Sequence, residues 1–392
     1  MAPARVPAAP LFMPPAASGA DAPEAGVPAG LPGGIGGVVP GAGVPAAGLF
    51  GGSGPGGRIL IVSDAWHPQV NGVVRTLAAV RDELTRLGCA VEVIGPDRFR
   101  TVPLPTYPGI RLAVLPGRRL SGLIEAFRPD ALHVATEGPL GLAARAWALR
   151  VGAGFTTSFH TRFPEYIRAR TGLPAALGYR WLRRFHGAGR GVMVAAPSLR
   201  AELARRGFRG VLPWSRGVDL RLFRPGPAPS WPFVRPVFLC VGRLAVEKDV
   251  PAFLSLPLPG TKVVVGDGPQ RAVLERRFPE ARFLGALHGE ALARAYRAAD
   301  ALVFPSRTDT FGLVLLEALA CGTPVAARPV AGPADVLDGA GSGVGALDPD
   351  LGAAALRAWH GADPAACRAH AERFSWSACA AQFLAHLVPA RG

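Results

Sequence analysis

Apolar and polar positions show no period over the first 57 residues and then alternate regularly almost to the end of the chain. The run Arg58-Ile-Leu-Ile-Val-Ser63 is short, continuous and rich in β-branched residues, as in a strand covered on both faces. A polar loop, 64–71, leads to Gly72. Val73, Val74, Leu77, Val80 and Leu84 then recur at helical spacing until Gly88 stops the helix. Residues 89–95 read as the next strand, and the alternation continues with strands at 131–134, 154–160 and 192–197 and a helix at 139–150. Prolines at 225, 227, 229, 232 and 236 mark 224–236 as a linker. Beyond it, strands are predicted at 237–242, 261–266, 281–285, 301–305 and 324–327. The last segment, 365–392, carries an amphipathic helical stretch with Phe374, Trp376, Phe383 and Leu387. The pattern predicts an α/β fold of two doubly wound domains, 58–223 and 237–364, facing across a cleft between the carboxyl ends of their sheets, where ligands bind.

Composition decides the remainder. Of residues 1–57, 39 are Ala, Gly or Pro and only Arg5, Asp21 and Glu24 are charged, so a disordered low-complexity tail is expected. It has neither the basic start and continuous apolar run of a signal peptide nor the unbroken apolar stretch of a membrane span. Five scattered cysteines (Cys89, Cys240, Cys321, Cys367, Cys379), with no CxxC pair, point to reduced structural residues, a cytosolic compartment and no zinc site. A net charge of +15 favours an anionic partner. Nearly all of it is arginine, a bias that coding composition explains as well as function does; lysine occurs only at Lys248 and Lys262.

Against that background Lys248 stands out. It closes Val241-Gly-Arg-Leu-Ala-Val-Glu-Lys248, just beyond the strand 237–242, so Arg243 and Lys248 lie where a cleft ligand would sit. Two cations there suit a departing diphosphate; the competing reading is a pair of solvated loop charges. The segment Phe304 to Val325 carries more. A loop holding Asp309 precedes a helix expected from about 311 to 321, with Gly322 placed to end it. Its start, at Phe311, Gly312 and Leu313, offers free N–H groups to an anion, and Gly312 leaves room for close approach. Glu317 interrupts the otherwise apolar Leu313-Val-Leu-Leu-Glu-Ala-Leu, where a carboxylate needs a partner. It lies eight positions after Asp309, roughly 12 Å at helical rise, which suits a sugar at one end and a ribose at the other. The competing reading is an exposed Glu on an outer face.

His160, at the end of the strand in Ser158-Phe-His-Thr-Arg162, faces the same cleft, either beside the transferring sugar or as a satisfied structural residue. Glycine turns at Gly72 and at Gly266-Asp-Gly-Pro269 are weaker signals. No strand is followed by a GxGxxG turn, no GxxxxGK[ST] loop occurs, and no DxD pair stands out as a metal site. Between Arg162 and Arg209, 11 arginines face two glutamates, Glu165 and Glu202, with Leu177, Tyr179, Trp181, Leu182 and Phe185 interleaved. Such a helix fits an anionic bilayer surface or a solvated face over core aromatics, and fits nucleic acid less well.

In order and spacing, VNGV at 70–73, SFHTRFPEY at 158–166, RGVDLRLFRP at 216–225, VGRLAVEK at 241–248, VVVGDGP at 263–269 and SRTDTFGLVLLEALACGTPVA at 306–326 resemble the two-domain retaining glycosyltransferases of family 4, over residues 58 to 387. The resemblance implies the GT-B fold, two Rossmann-like domains facing across a cleft, with the terminal helix crossing back to the first. It implies that Arg243 and Lys248 hold the donor diphosphate, that Glu317 holds the ribose, and that Asp309 stands first in the Glu-x7-Glu pair, one methylene shorter than the usual Glu. It further implies His160 beside the sugar, Gly72 near the phosphates, and Phe283 and Leu284 by the base. The SFHTRFPEY and TDTFG variants look closest to bacterial mannosyltransferases or glycolipid-forming enzymes. The expected partners are therefore a nucleotide-diphosphate sugar as co-substrate, carrying mannose or a glucose-type hexose with GDP-mannose first, a lipid or glycan acceptor and an anionic membrane surface, with no cofactor, metal or nucleic acid. The expected location is cytoplasmic, peripheral at the inner membrane. A nucleotide-sugar epimerase of the same fold, a glucan synthase-like elongating enzyme and a basic binding protein stand as alternatives.

Overall fold

A computed structural model describes residues 56–69, 71–104, 107–307 and 309–390; the expected tail of residues 1–57 lies almost wholly outside them. The first half runs β1 (Arg58–Val62), α1 (Gly72–Arg86), β2 (Ala90–Ile94), β3 (Thr101–Leu104), β4 (Tyr107–Ala113), α2 (Gly117–Phe127), β5 (Ala131–Val134), α3 (Pro139–Val151), β6 (Thr156–Phe159), α4 (Phe163–Thr171), α5 (Ala175–His186), β7 (Val192–Val194), α6 (Pro197–Arg205) and β8 (Val211–Pro213). The second runs β9 (Val237–Val241), α7 (Val250–Leu254), β10 (Thr261–Val265), α8 (Arg271–Arg277), β11 (Arg282–Phe283), α9 (Gly289–Ala298), β12 (Ala301–Phe304), α10 (Leu313–Ala320), β13 (Val325–Ala327), α11 (Pro333–Val336), β14 (Gly345–Leu347), α12 (Leu351–His360) and α13 (Pro364–Ala371), and α14 (Trp376–His386) follows.

Each half is one parallel sheet between helices, ordered β2-β1-β5-β6-β7-β8 and β11-β10-β9-β12-β13-β14. The central strands β1, β9 and β12 are covered on both faces: Ile59, Leu60, Ile61 and Val62, Phe238 and Leu239, and Ala301, Leu302 and Val303 are wholly buried. In α1 the Asn71 side chain accepts from the Val73 and Val74 amides and starts the helix; Val74, Leu77, Val80 and Leu84 form its buried stripe. The order reverses between β1 and β5 and between β9 and β12, and the carboxyl ends at these two switch points face the cleft.

Three features escape the hydrophobic pattern. The antiparallel pair β3–β4 and the edge strands β8 and β14 are short or interrupted by Pro or Gly, too brief to set up a period. The single amphipathic stretch expected at the end is two helices, because Asp363 caps α13 and Ser375 caps a fresh start at α14. The boundary expected at 364/365 moves with it. Helix α13 packs on α10 of the second half, whereas Cys379, Ala380, Phe383 and Leu384 of α14 pack with Ile59, Leu77 and Leu84 of the first. Among the described residues no helix is long and apolar enough to cross a membrane.

Candidate active site between the two halves

At the switch point of the second sheet, the turn after β9 brings Arg243 to an exposed position, and a short 3-10 turn, Val246–Lys248, carries Lys248 back over the sheet. Lys248 Nζ donates to Asp309 Oδ1 from the loop after β12, so the two loops that flank the switch are tied by an ion pair. The other Asp309 oxygen, Oδ2, is buried and accepts nothing from the described residues. A carboxylate with one buried lone-pair face open is a ready acceptor for a ligand hydroxyl.

The helix behind this loop starts two residues later than the pattern predicts, at Leu313. Gly312 has φ +91°, outside the helical region, and no side chain caps the start, so the amides presented to the cleft begin at Leu313 rather than Phe311. A Cβ on Gly312 would also lie 3.0 Å from Leu315 Cδ1. The Phe311 ring is turned into the core against Phe374. Glu317 is 5% exposed, which removes the outer-face reading. Its Oε1 accepts from Arg75 Nη1 at 2.6 Å and its Oε2 from the Tyr296 hydroxyl at 2.8 Å. Burial pushes its carboxyl up from the ordinary range, and Arg75 and then Tyr296 oppose that shift.

In the first half, the polar side chains at the cleft wall bond chiefly to one another. The His160 ring lies beneath the cleft surface, edge-on to Trp214. Arg216 Nη2 approaches His160 Nδ1 at 3.3 Å and can only donate, so the ring proton sits on Nε2 and is given to Ser158 Oγ at 2.8 Å. Ser158 Oγ donates to the Ala135 carbonyl and also meets His133 Nε2. Burial first, then Arg216 and the neighbouring histidines, hold the His160 pKa well below the ordinary value, and the ring is neutral at pH 7. What His160 offers across the cleft is its carbonyl, which accepts from Thr310 Oγ1 at 2.8 Å.

Polar links between the halves include Arg75 with Glu317, Thr310 with the His160 carbonyl, the amide and hydroxyl of Ser198 with the Asp335 carboxylate, and, away from the cleft, Arg368 with the Leu220 and Phe223 carbonyls. The start of α1 abuts the start of α10, since a Cβ on Gly72 would lie 3.9 Å from Leu313 Cδ1. The structure thus brings Gly72, His160, Lys248, Asp309, Gly312, Leu313 and Glu317 to one cleft. Phe283 and Leu284 lie at the end of β11 on the sheet edge, lining a shallow hollow with Phe233, Glu275 and Arg282. The turn Gly266–Pro269 is structural: a Cβ on Gly266 would lie 1.8 Å from the Gly242 carbonyl oxygen, so the two loops pack backbone to backbone. Asp348 and Asp350, a DxD pair, bond Arg357 and cap α12.

The basic zone divides. Tyr179, Leu182 and Phe185 are core, and Arg162 is internal, bonded to Glu202. The opposite face of α5 leaves Leu177 60% and Trp181 46% exposed, flanked by Arg180, Arg183 and Arg184; Arg145 of α3 lines the same hollow as these arginines.

Arg75, Tyr296, Thr310 and Arg216 went unassigned from sequence. Arg75 sits one turn after the Asn71 cap, and a lone charge so near the VNGV loop was its only signal. Tyr296 looks like any core aromatic until Glu317 is seen beside it.

Two family signatures match the chain: Glycosyltransferase Family 4 over residues 70–222 and Glycosyl transferases group 1 over residues 235–360. The GDP-mannose-dependent alpha-mannosyltransferase of Mycobacterium tuberculosis is 32% identical over 307 residues, covering 71% of this chain and 81% of that protein. Sucrose-phosphate synthase from Thermosynechococcus elongatus aligns with TM-score 0.65 at 21% identity, over 83% of this chain and 97% of its own. HepE from Anabaena, in complex with UDP and glucose, aligns with TM-score 0.62 at 15% identity, over 83% and 98%. At such identities the likeness to the solved structures is one of fold.

Proposed function

The chain belongs to the family 4 glycosyltransferases of the GT-B fold, a hexosyltransferase that draws on a nucleotide sugar, and from that premise we propose that it moves mannose from GDP-mannose, with retention, to a hydroxyl of a lipid or glycan at a membrane surface. The observation that carries the site reading is the Lys248–Asp309 pair at the sheet switch, beside the uncapped start of α10. Lys248, Arg243 and the Leu313 amide receive the donor diphosphate and stabilise the charge that grows as it departs. Asp309 Oδ2 accepts from the sugar hydroxyls, the His160 carbonyl lies across from the anomeric centre, and Glu317 accepts from the ribose. Phe283 and Leu284 flank the base. The glycosidic bond breaks first, through an oxocarbenium-like state. The acceptor hydroxyl then attacks from the face the diphosphate has left, and the phosphate takes its proton. Closure of the cleft keeps water from competing.

The mannosyltransferase relative supports the choice of donor. The lipid acceptor rests on the exposed face of α5, where Leu177 and Trp181 stand among Arg180, Arg183 and Arg184 in the manner of an interfacial helix. The test is nucleoside diphosphate release from a panel of GDP- and UDP-sugars, with and without anionic lipid vesicles. Release with GDP-mannose, accelerated by vesicles, supports the whole reading. Release with a different donor replaces the sugar, and full activity in Glu317→Gln removes the ribose assignment.

A further inference from the structure

Glu317 lies midway along an apolar eight-residue helix, 5% exposed, and no residue of its own domain offers it a countercharge among the described residues. The one cation that reaches it comes from the other domain, on α1. We propose that Arg75 is a positioning residue that couples closure of the cleft to the hold on the donor ribose, by fixing Glu317 as an ionised acceptor only when the two halves are shut. This rests on the reading of Glu317 as the ribose carboxylate.

The geometry leaves room for both partners. Arg75 Nη1 takes one lone pair of Oε1 at 2.6 Å and Tyr296 takes one of Oε2 at 2.8 Å, so each oxygen keeps a further acceptor direction for a vicinal diol. Arg75 keeps 37% of its side chain exposed, so it stands at the cleft edge of the pair, while the Glu317 side chain keeps 7%. Its reach depends on the abutment of the α1 and α10 starts near Gly72 and Leu313. Opening the halves at this seam withdraws the guanidinium and leaves a buried carboxylate with a tyrosine hydroxyl alone, a state that favours protonation over ribose binding. Other links between the halves, among them Thr310 to His160 and Ser198 to Asp335, hold them without touching Glu317.

The groups that face the Glu317 carboxylate are the Arg75 guanidinium from α1, the Tyr296 hydroxyl from α9 and, on α10 itself, the Cys321 thiol. Burial keeps the last two neutral through the neutral range: the tyrosine is pushed well above its ordinary value and the thiol up to about 12. Removing Arg75 takes away the larger of the two contacts that oppose burial, so the Glu317 carboxyl moves further up.

The experiment compares binding of GDP with that of 2′,3′-dideoxy-GDP, by calorimetry from pH 6 to 9, in the full chain, Arg75→Ala, Arg75→Lys, Ser198→Ala and Glu317→Gln, each checked for an unchanged thermal transition. The full chain should prefer the ribose form by roughly tenfold or more, the scale of a hydrogen bond to a charged group. Arg75→Ala should lose most of that preference, and the loss should be larger at the acid end of the range than at the alkaline end. Arg75→Lys should keep part of it. Ser198→Ala should weaken both ligands alike and leave the preference intact. If Glu317→Gln still prefers the ribose form, the ribose reading itself is overturned. If Glu317→Gln loses the preference while Arg75→Ala keeps it at every pH, the ribose reading stands and the coupling is overturned.

Discussion

In the first half, polar side chains near the carboxyl ends of the strands turn inward: His133, Ser158, His160 and Arg216 answer one another around Trp214. In the second half they stay at the cleft. Arg243 is exposed, Lys248 bridges to Asp309, and Glu317 is held by a residue of the opposite domain. Two sheets of one architecture have thus been given different tasks. One is a dry, rigid wall that presents backbone, and the other carries charges in reach of a ligand. Buried polar side chains that bond one another rigidify their surroundings, whereas a half-satisfied carboxylate such as Asp309 invites a further partner.

That contrast can be broken at its strongest point by Trp214→Ala. The indole is fully buried and shares the network, so its loss should cost about 3–5 kcal/mol, read as a lower denaturant midpoint. An unchanged midpoint would mean that the wall is not built on it. Lys248→Ala should do the reverse. Stability should stay within about 1 kcal/mol, as for other part-exposed pairs, while donor turnover drops on the order of 10²–10³-fold, the scale for losing one transition-state donor. The buried histidines give a third handle. The His133 pKa is held down to about 3 by burial, then by His186 and Arg216, and His160 is held well below the ordinary value. Unfolding exposes both to water, where they take up protons below about pH 6.5. The unfolded state therefore binds more protons, and the stability present above that pH is lost as pH falls. Each group should contribute about 1.4 kcal/mol per pH unit in that window. Thermal melts between pH 7 and 5 should follow this slope, and His133→Asn should flatten it. Gly312→Ala is the mildest change. A residue with a Cβ at φ +91° costs about 1–2 kcal/mol, and it should appear as a modest loss in donor affinity.

Most of the architecture was legible because parallel strands covered on both faces are written as unbroken apolar runs, and β1, β9, β10 and β12 begin where those runs do. What escaped lacks a run: the three residues each of β8 and β14, and the break between α13 and α14, which depends on a serine cap rather than on hydrophobicity. The site divides in the same way. Glu317 and Lys248 are legible because each contradicts its surroundings, a carboxylate in an apolar helix and a lysine in an arginine-rich chain. Arg75 and Thr310 act across the cleft, on partners more than a hundred residues away, and nothing local distinguishes them.

The return of α14 to the first half has a consequence for how the molecule is made. Leu77 and Leu84 of α1 and Ile59 of β1 find their cover in Phe383 and Leu384, and Ala131 at the start of β5 pairs with Pro389. During synthesis from the amino end, the earlier half emerges with this greasy flank bare and must wait for the whole second half to be translated before it is sealed. The first half is therefore not a module that can be cut out and expressed alone; a fragment stopping at the linker would carry an open wound along α1.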